Sequence, residues 1–418
     1  MKTLTTALLL SLLLVSPGLA LTLDEAVQAA LQNHQRIEQF RANAARSQAT
    51  VGSAKAAFLP RVDLGYTYLE RADDPYLLGD KSSTLSLGAS INLFNGLSDY
   101  RTYQAARQRA LGADHRLQGT IADIILATRQ AYIEGLRSRR SVATAEEGVK
   151  LLEQQKRDTE LQYEYGLLAR NDLLRVEVEL SSARQDLLRA QGQQQIARRQ
   201  LERNTGILPA ADDALEEPGL NRLLSSDPQQ TDNYRLEMLE KRSELNYLRA
   251  ELQAAKLETS ASKGGYLPKL DLSVSHEEYG DDLSPAGSDD QDNLLTLRAD
   301  WNLFDGFAKN KRVAAADARA RAVAAELRDT EAALTLQLET ALQNARIAQG
   351  RLQEAGSGVI QAEENYRVTE NLFKQQQATS VDLLDAQFLL TRARNLEVNA
   401  RYDLFLNSAL LERILERQ

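Results

Sequence analysis

The chain has 418 residues, with 50 basic against 59 acidic side chains and a net charge of −9. It contains no cysteine, which excludes a disulfide frame, a thiolate metal site, a cysteine nucleophile and a lipid-modified N-terminal Cys. The acidic balance argues against a nucleic-acid partner, and three scattered histidines (His34, His115, His276) argue against a histidine metal centre.

Residues 1–20 read as an export signal. Lys2 supplies the positive start, Leu4 to Val15 the apolar stretch, and Pro17-Gly18-Leu19-Ala20 a small-residue cleavage site after Ala20. The competing reading, an N-terminal membrane anchor, has too short an apolar run to span a bilayer. Beyond it no run approaches the ~18 apolar residues of a membrane helix, so any crossing of a bilayer falls to strands.

The rest of the chain is one unit written twice. Phe58-Leu59-Pro60-Arg61 recurs as Tyr266-Leu267-Pro268-Lys269, an offset of 208 residues. Asn92-Leu93-Phe94-Asn95-Gly96 recurs as Asn302-Leu303-Phe304-Asp305-Gly306, an offset of 210 that also carries Asp172-Leu173-Leu174 onto Asp382-Leu383-Leu384. A constant offset over long stretches implies rigid elements, and the two-residue change between the Pro and the Asn implies a loop.

In chain order, residues 24–57 read as one helix opened by Thr22-Leu23-Asp24-Glu25. Residues 62–69 and 85–93 alternate apolar and polar, giving a hairpin over 62–93. A helix of about seventy residues follows, then a polar turn at Gly166–Asn171 and a shorter helix to about Asn204. Residues 207–234, with Pro209, Pro218 and Pro228, read as a linker between repeat 1 (21–206) and repeat 2 (235–418). The second repeat reads alike, with a hairpin over 270–303, a long helix, a turn at Gln376–Ser380 and a helix to about Leu415.

Four strands with apolar faces and open edges cannot close a barrel alone, and a bilayer tolerates only a closed one. Closure therefore requires several chains, with Asn92, Arg298, Asp300 and Asn302 on the water-filled side. Phe58, Phe94, Tyr266, Trp301 and Phe304 gather at the strand–helix junctions, as an aromatic girdle at the membrane interface would. The hairpin loops then lie outside; Gly280–Asn293 holds Asp281, Asp282, Asp289, Asp290 and Asp292 with no basic residue, a solvated loop or a cation-concentrating vestibule. Two other classes compete: a coiled-coil tether or adhesin using the long helices alone, and a stand-alone nutrient porin.

The export signal, the tandem helix–strand–strand–helix–helix order, the junction motifs and Val381-Asp382-Leu383-Leu384-Asp385-Ala386 together resemble the outer-membrane efflux protein (TolC-like) family over essentially the whole mature chain. The resemblance implies a mainly α fold with a membrane β-barrel. Three identical chains would form a twelve-stranded β-barrel in the outer membrane of a Gram-negative bacterium, continuous with a periplasmic α-helical barrel. It further implies outer-membrane lipid around the barrel, a periplasmic adaptor and an inner-membrane transporter of the proton-driven (RND) or ABC class as partners. The cargo would be drugs, metals or a secreted protein.

The family closes its periplasmic tip where the paired helices turn, and there Asp382 and Asp385 match its pore-facing aspartates. At i, i+3 they share a helix face; Asp172 and Phe373 complete the expected gate region. Asp382 also fits a Thr379-x-x-Asp382 cap, a reading that extends to Asp172 but not to Asp385, whose repeat-one counterpart is Arg175. Phe373 and Ala378 stand where related ducts place a latching tyrosine and arginine, so the latch is not copied from the family. No phosphate-binding loop, nucleophile–base set or metal cluster is legible, so the chain reads as a passive conduit without cofactor.

Overall fold

The computed structural model describes residues 21–70, 81–208, 215–217, 231–280, 283 and 290–417. The export segment, the tips of both hairpin loops and most of the inter-repeat linker lie outside the described residues.

Among the described residues each repeat contributes four α-helices and two strands. Repeat 1 holds α1 (Leu23–Asn33), α2 (Gln35–Lys55), β1 (Arg61–Glu70), β2 (Lys81–Asn95), α3 (Ser98–Glu164) and α4 (Arg170–Thr205). Repeat 2 holds α5 (Thr231–Lys241), α6 (Ser243–Lys263), β3 (Lys269–Gly280), β4 (Gln291–Asp300), α7 (Ala308–Lys374) and α8 (Ser380–Ile414). The helices α3 and α7 have 67 residues each, about 100 Å at ~1.5 Å per residue. Among the described residues no helix is long and apolar enough to cross a membrane.

The repeat extends to backbone conformation. The positive-φ residues pair off at an offset of 210: Gly96 with Gly306, Leu97 with Phe307, Gly166 with Gln376, and Gly206 with Glu416. Glycine enters the left-handed region freely, whereas Gln376 and Glu416 each cost roughly 1 kcal/mol there. At the ends of α3 and α7 the same double bond closes the helix. Leu167 N donates to Gln162 O and Gly166 N to Tyr163 O; Gln377 N donates to Leu372 O and Gln376 N to Phe373 O.

Two expectations need correction. The helix expected over 24–57 breaks at His34, and its counterpart breaks at Arg242, 208 residues later. Neither break uses Gly or Pro. At the second break Asn246 Nδ2 reaches the carbonyls of Glu240 and Lys241 at the end of α5, and beside the first Asn33 Nδ2 donates to Thr205 O at 2.9 Å, which ties the end of α1 to the end of α4. The second correction concerns strand lengths. β2 runs from Lys81 to Asn95, beyond the expected 85–93, while β4 stops at Asp300 rather than 303. β2 is paired along its far end by β3, but β4 has no second neighbour to hold Trp301–Phe304.

The chain divides into two compact units. The first comprises the N-terminal part through His34, Ala122–Asp232 and Leu338–Gln418. Its core gathers Ala26, Tyr132, Leu136, Leu201, Val398, Tyr402 and Phe405. The Thr22/Glu25 capping box opens α1. Leu21 forms a parallel bridge with Leu215, and the Tyr132 hydroxyl reaches the carbonyls of Leu21 (2.6 Å) and Glu216 (2.8 Å). Burial pushes the Tyr132 pKa up to about 12. The Tyr402 hydroxyl donates to the Glu217 carboxylate at 2.7 Å, so two tyrosines hold the described piece of linker. Tyr132→Phe is expected to destabilise this unit by about 1 kcal/mol, read as a lower midpoint in thermal unfolding, because two part-buried carbonyls lose the hydroxyl they share.

The second unit comprises Gln35–Ile121 and Asn233–Gln337. It carries an antiparallel sheet in the order β1-β2-β3-β4, so the β2–β3 pair is where the repeats meet and β1 and β4 are open edges. Beneath the sheet Arg116 of α3 lies between the rings of Phe40 and Tyr247, at 5.8 and 5.4 Å, and Arg109 pairs with Glu258 at 2.6 Å.

Candidate functional site

The strand register puts the polar residues on one face. Asn92 lies opposite Asp271, Asp271 opposite Arg298 and Lys269 opposite Asp300. Asn92 Nδ2 donates to Asp271 Oδ1 at 3.0 Å, and Lys269 pairs with Asp271 at 2.9 Å. Three of the four residues expected to face water, Asn92, Arg298 and Asp300, therefore belong to one charged ladder. The fourth, Asn302, lies past the end of β4 and is held by the Lys309 amine through its carbonyl and side chain. Lys309 is buried, and nothing in its sequence surroundings marks it except that Asp99 is its repeat-one counterpart. Asp305 caps α7 by accepting from the Lys309 N–H at 3.0 Å.

The opposite face carries Leu64 and Tyr66 on β1, Leu85, Leu87, Ala89 and Ile91 on β2, Leu272 and Val274 on β3, and Leu295 and Leu297 on β4. Leu64 is 72% exposed and Leu295 73%, an apolar surface that water does not favour. The band is not uniform. His276 and Glu278 continue the apolar face of β3, opposite Leu87 and Leu85, so the band steps along the sheet from strand to strand. A band that stays level with a membrane must step in this way when the strands are tilted. Of the expected girdle, Phe58, Tyr266, Trp301 and Phe304 are exposed and Phe94 is half-buried. Trp301 Nε1 donates to Tyr266 O at 3.0 Å.

In the first unit, α7 and α8 meet in a tight turn. Thr379 caps α8: its hydroxyl accepts from Asp382 N at 3.2 Å, and Asp382 Oδ2 accepts from Thr379 N at 2.8 Å and Oγ1 at 2.6 Å. The Thr379 hydroxyl and then its N–H hold the Asp382 carboxyl below its usual range. Repeat 1 has Ala169 at the equivalent cap and makes no side-chain bond there, so the cap reading does not extend to Asp172. Asp382 and Asp385 are exposed, Asp172 is half-buried and Phe373 is 7% exposed, a packing residue of the tip rather than a surface one.

A groove of about 520 Å³ lies among α3, α4 and α8, lined by Gly148, Leu152, Ala183, Leu384, Gln387, Phe388, Thr391 and Leu396 among others. Phe388 is 60% exposed, while Gln387 is buried and its Nε2 has no hydrogen-bond partner. The sequence reading missed this groove, because its walls come from both repeats. At 100° per residue the groove side of α8 (Leu384, Gln387, Thr391, Asn395) and the side bearing Asp382 and Asp385 differ by roughly 145°, about two-fifths of a turn.

The chain matches the outer membrane efflux protein family over residues 26–207 and 236–416. No curated protein sequence matches it significantly. Solved structures resemble it along nearly their whole length. The outer membrane protein VceC of Vibrio cholerae is 19% identical over 94% of this chain and 95% of that one, with a TM-score of 0.82. The CmeC outer membrane channel of Campylobacter jejuni is 14% identical, covering 94% and 85%, with a TM-score of 0.83. The open state of the MtrE outer membrane channel of Neisseria gonorrhoeae is 16% identical, covering 94% and 88%, with a TM-score of 0.80.

Proposed function

Because the chain belongs to the outer membrane efflux protein family and serves as an exit duct in the outer membrane, we propose that three copies close its sheet into one passive channel with an acidic gate at the helix tips. The observation that carries this is an asymmetry between equivalent elements. In α6 the residues Leu245, Leu248, Ala254, Ala255 and others are buried, whereas Ile37 alone is buried in its counterpart α2. Likewise β3 is paired on both sides, and its counterpart β1 on one. Repeat 1 covers what repeat 2 needs covered; only another repeat 2 can do the same for repeat 1.

The internal β2–β3 register then predicts the external one. Ser90 faces Ser273, Ile91 faces Leu272 and Asn92 faces Asp271. Shifted by the repeat offsets, Asp300 faces Gly65, Trp301 faces Leu64 and Asn302 faces Asp63 of a neighbouring copy. The Asn–Asp pair recurs at the seam, and β4 gains the neighbour that would extend it past Asp300. Going from Gly65 through Ser86 to Glu277, whose repeat-one counterpart is Leu69, advances four residues per hairpin, a stagger that closes as a tilted barrel.

Within the first unit, the two sides of α8 take two tasks. The aspartate side lines the passage. The groove side receives a helical segment of a periplasmic adaptor, with an acceptor placed opposite Gln387 Nε2. An inner-membrane pump of the proton-driven or ABC class supplies the energy, and the duct transfers cargo without chemistry of its own. Reconstitution tests the reading. The mature chain, extracted in detergent and added to planar bilayers, is expected to give unitary conductance steps. A monomer that stays in water without detergent and conducts nothing would refute it.

A further inference from the structure

We propose that the two strand-entry junctions, Lys55–Leu59 and Lys263–Leu267, bind the headgroups of anionic phospholipids in the leaflet next to the helices. The inference rests on the outer-membrane duct reading and adds a ligand to it. Each junction has the same composition at an offset of 208: a lysine closing the helix, an aromatic residue, a leucine and then a proline. Phe58 and Leu59 are 43% and 60% exposed, and Tyr266 and Leu267 42% and 49%. These side chains precede the strands, so the sheet's apolar face does not account for their exposure.

Lys55 and Lys263 are exposed, and neither forms an ion pair among the described residues, although the chain as a whole is acidic. An exposed aromatic and leucine beside an unpaired lysine is the arrangement that sits at a membrane interface. The apolar groups enter the acyl boundary while the long stem carries its ammonium to the phosphate. The chain also contains the control for whether self-association hides these groups. Gly264, next to Lys263, packs so closely on Gly96 that a Cβ on either would collide with the other's backbone. That seam between repeats is already closed, and Lys263 and Tyr266 remain exposed beside it. Lys55 and Phe58 hold the equivalent places beside the seam between copies, where Ala56 stands for Gly264 and keeps the facing backbone further away.

Native mass spectrometry of the detergent-purified oligomer, offered equimolar phosphatidylglycerol and phosphatidylethanolamine, tests the proposal. The natural chain should retain phosphatidylglycerol about five-fold over phosphatidylethanolamine, the preference expected of one lysine at a charged interface. Lys55→Gln with Lys263→Gln should bring the two lipids near parity while the oligomer persists. Leu59→Ser with Leu267→Ser should lower retention of both lipids together. Parity in the natural chain, or an unchanged preference in the lysine variant, overturns the proposal and leaves the duct intact. A natural chain that forms no oligomer refutes the duct reading itself.

Discussion

Oxidation of a chain carrying Asn302→Cys and Asp63→Cys is expected to produce covalent dimers and trimers and nothing larger. The protein has no cysteine of its own, so every link reports on the introduced pair. In an antiparallel ladder facing residues have Cα atoms about 4.5–5.5 Å apart, inside the range a disulfide bridges. Pairing Asn302→Cys with Leu69→Cys instead moves one thiol six residues along the strand, roughly 20 Å, and should give no link. Asn92 donates to Asp271 inside the chain, and the repeat offset predicts that Asn302 meets Asp63 between chains. A product linked by the control pair and not by the first would mean that the seam has another register, and the repeat argument would fail.

Replacing both tip aspartates, Asp382→Ala with Asp385→Ala, is expected to weaken block by divalent cations at least about ten-fold in single-channel recordings and to raise conductance. Three chains would bring six carboxylates around one mouth, and their attractions for a doubly charged ion act together. The pH dependence carries a sign. The Thr379 hydroxyl and N–H stabilise the charged form of Asp382 and hold its pKa below the ordinary value. The cap bonds are thus fully present above the ordinary carboxylate pKa and are lost as pH falls through the lowered one. Block should survive mild acid in the natural chain, and in Thr379→Ala it should fade at a higher pH. Currents and block identical in all three proteins would remove the gate from these residues.

The legibility of this molecule followed the range of the interactions. Long helices, the alternation of four strands and the duplication were visible because each depends on a period or an offset along the chain. The helix breaks at His34 and Arg242 were not, since no Gly or Pro marks them and the contact that ties down the end of α1 runs from Asn33 to the Thr205 carbonyl, far along the chain. Asp382 was legible as a cap because Thr379 stands three residues before it. Phe373 was placed by analogy with a gate, and its burial makes it a packing residue, which depends on neighbours that local sequence does not name.

By itself, then, the sequence determined the repeat, the element order and the face on which each strand residue lies, because periodicity and offset are properties of the chain alone. Only the tertiary structure decided where β4 stops, that Lys309 holds Asn302, that Gln387 lies unpaired in a groove, and that α2 lacks the cover α6 has. Each of these depends on which surfaces meet across hundreds of residues, and a hydrogen bond or a buried face is complete only when its partner has arrived.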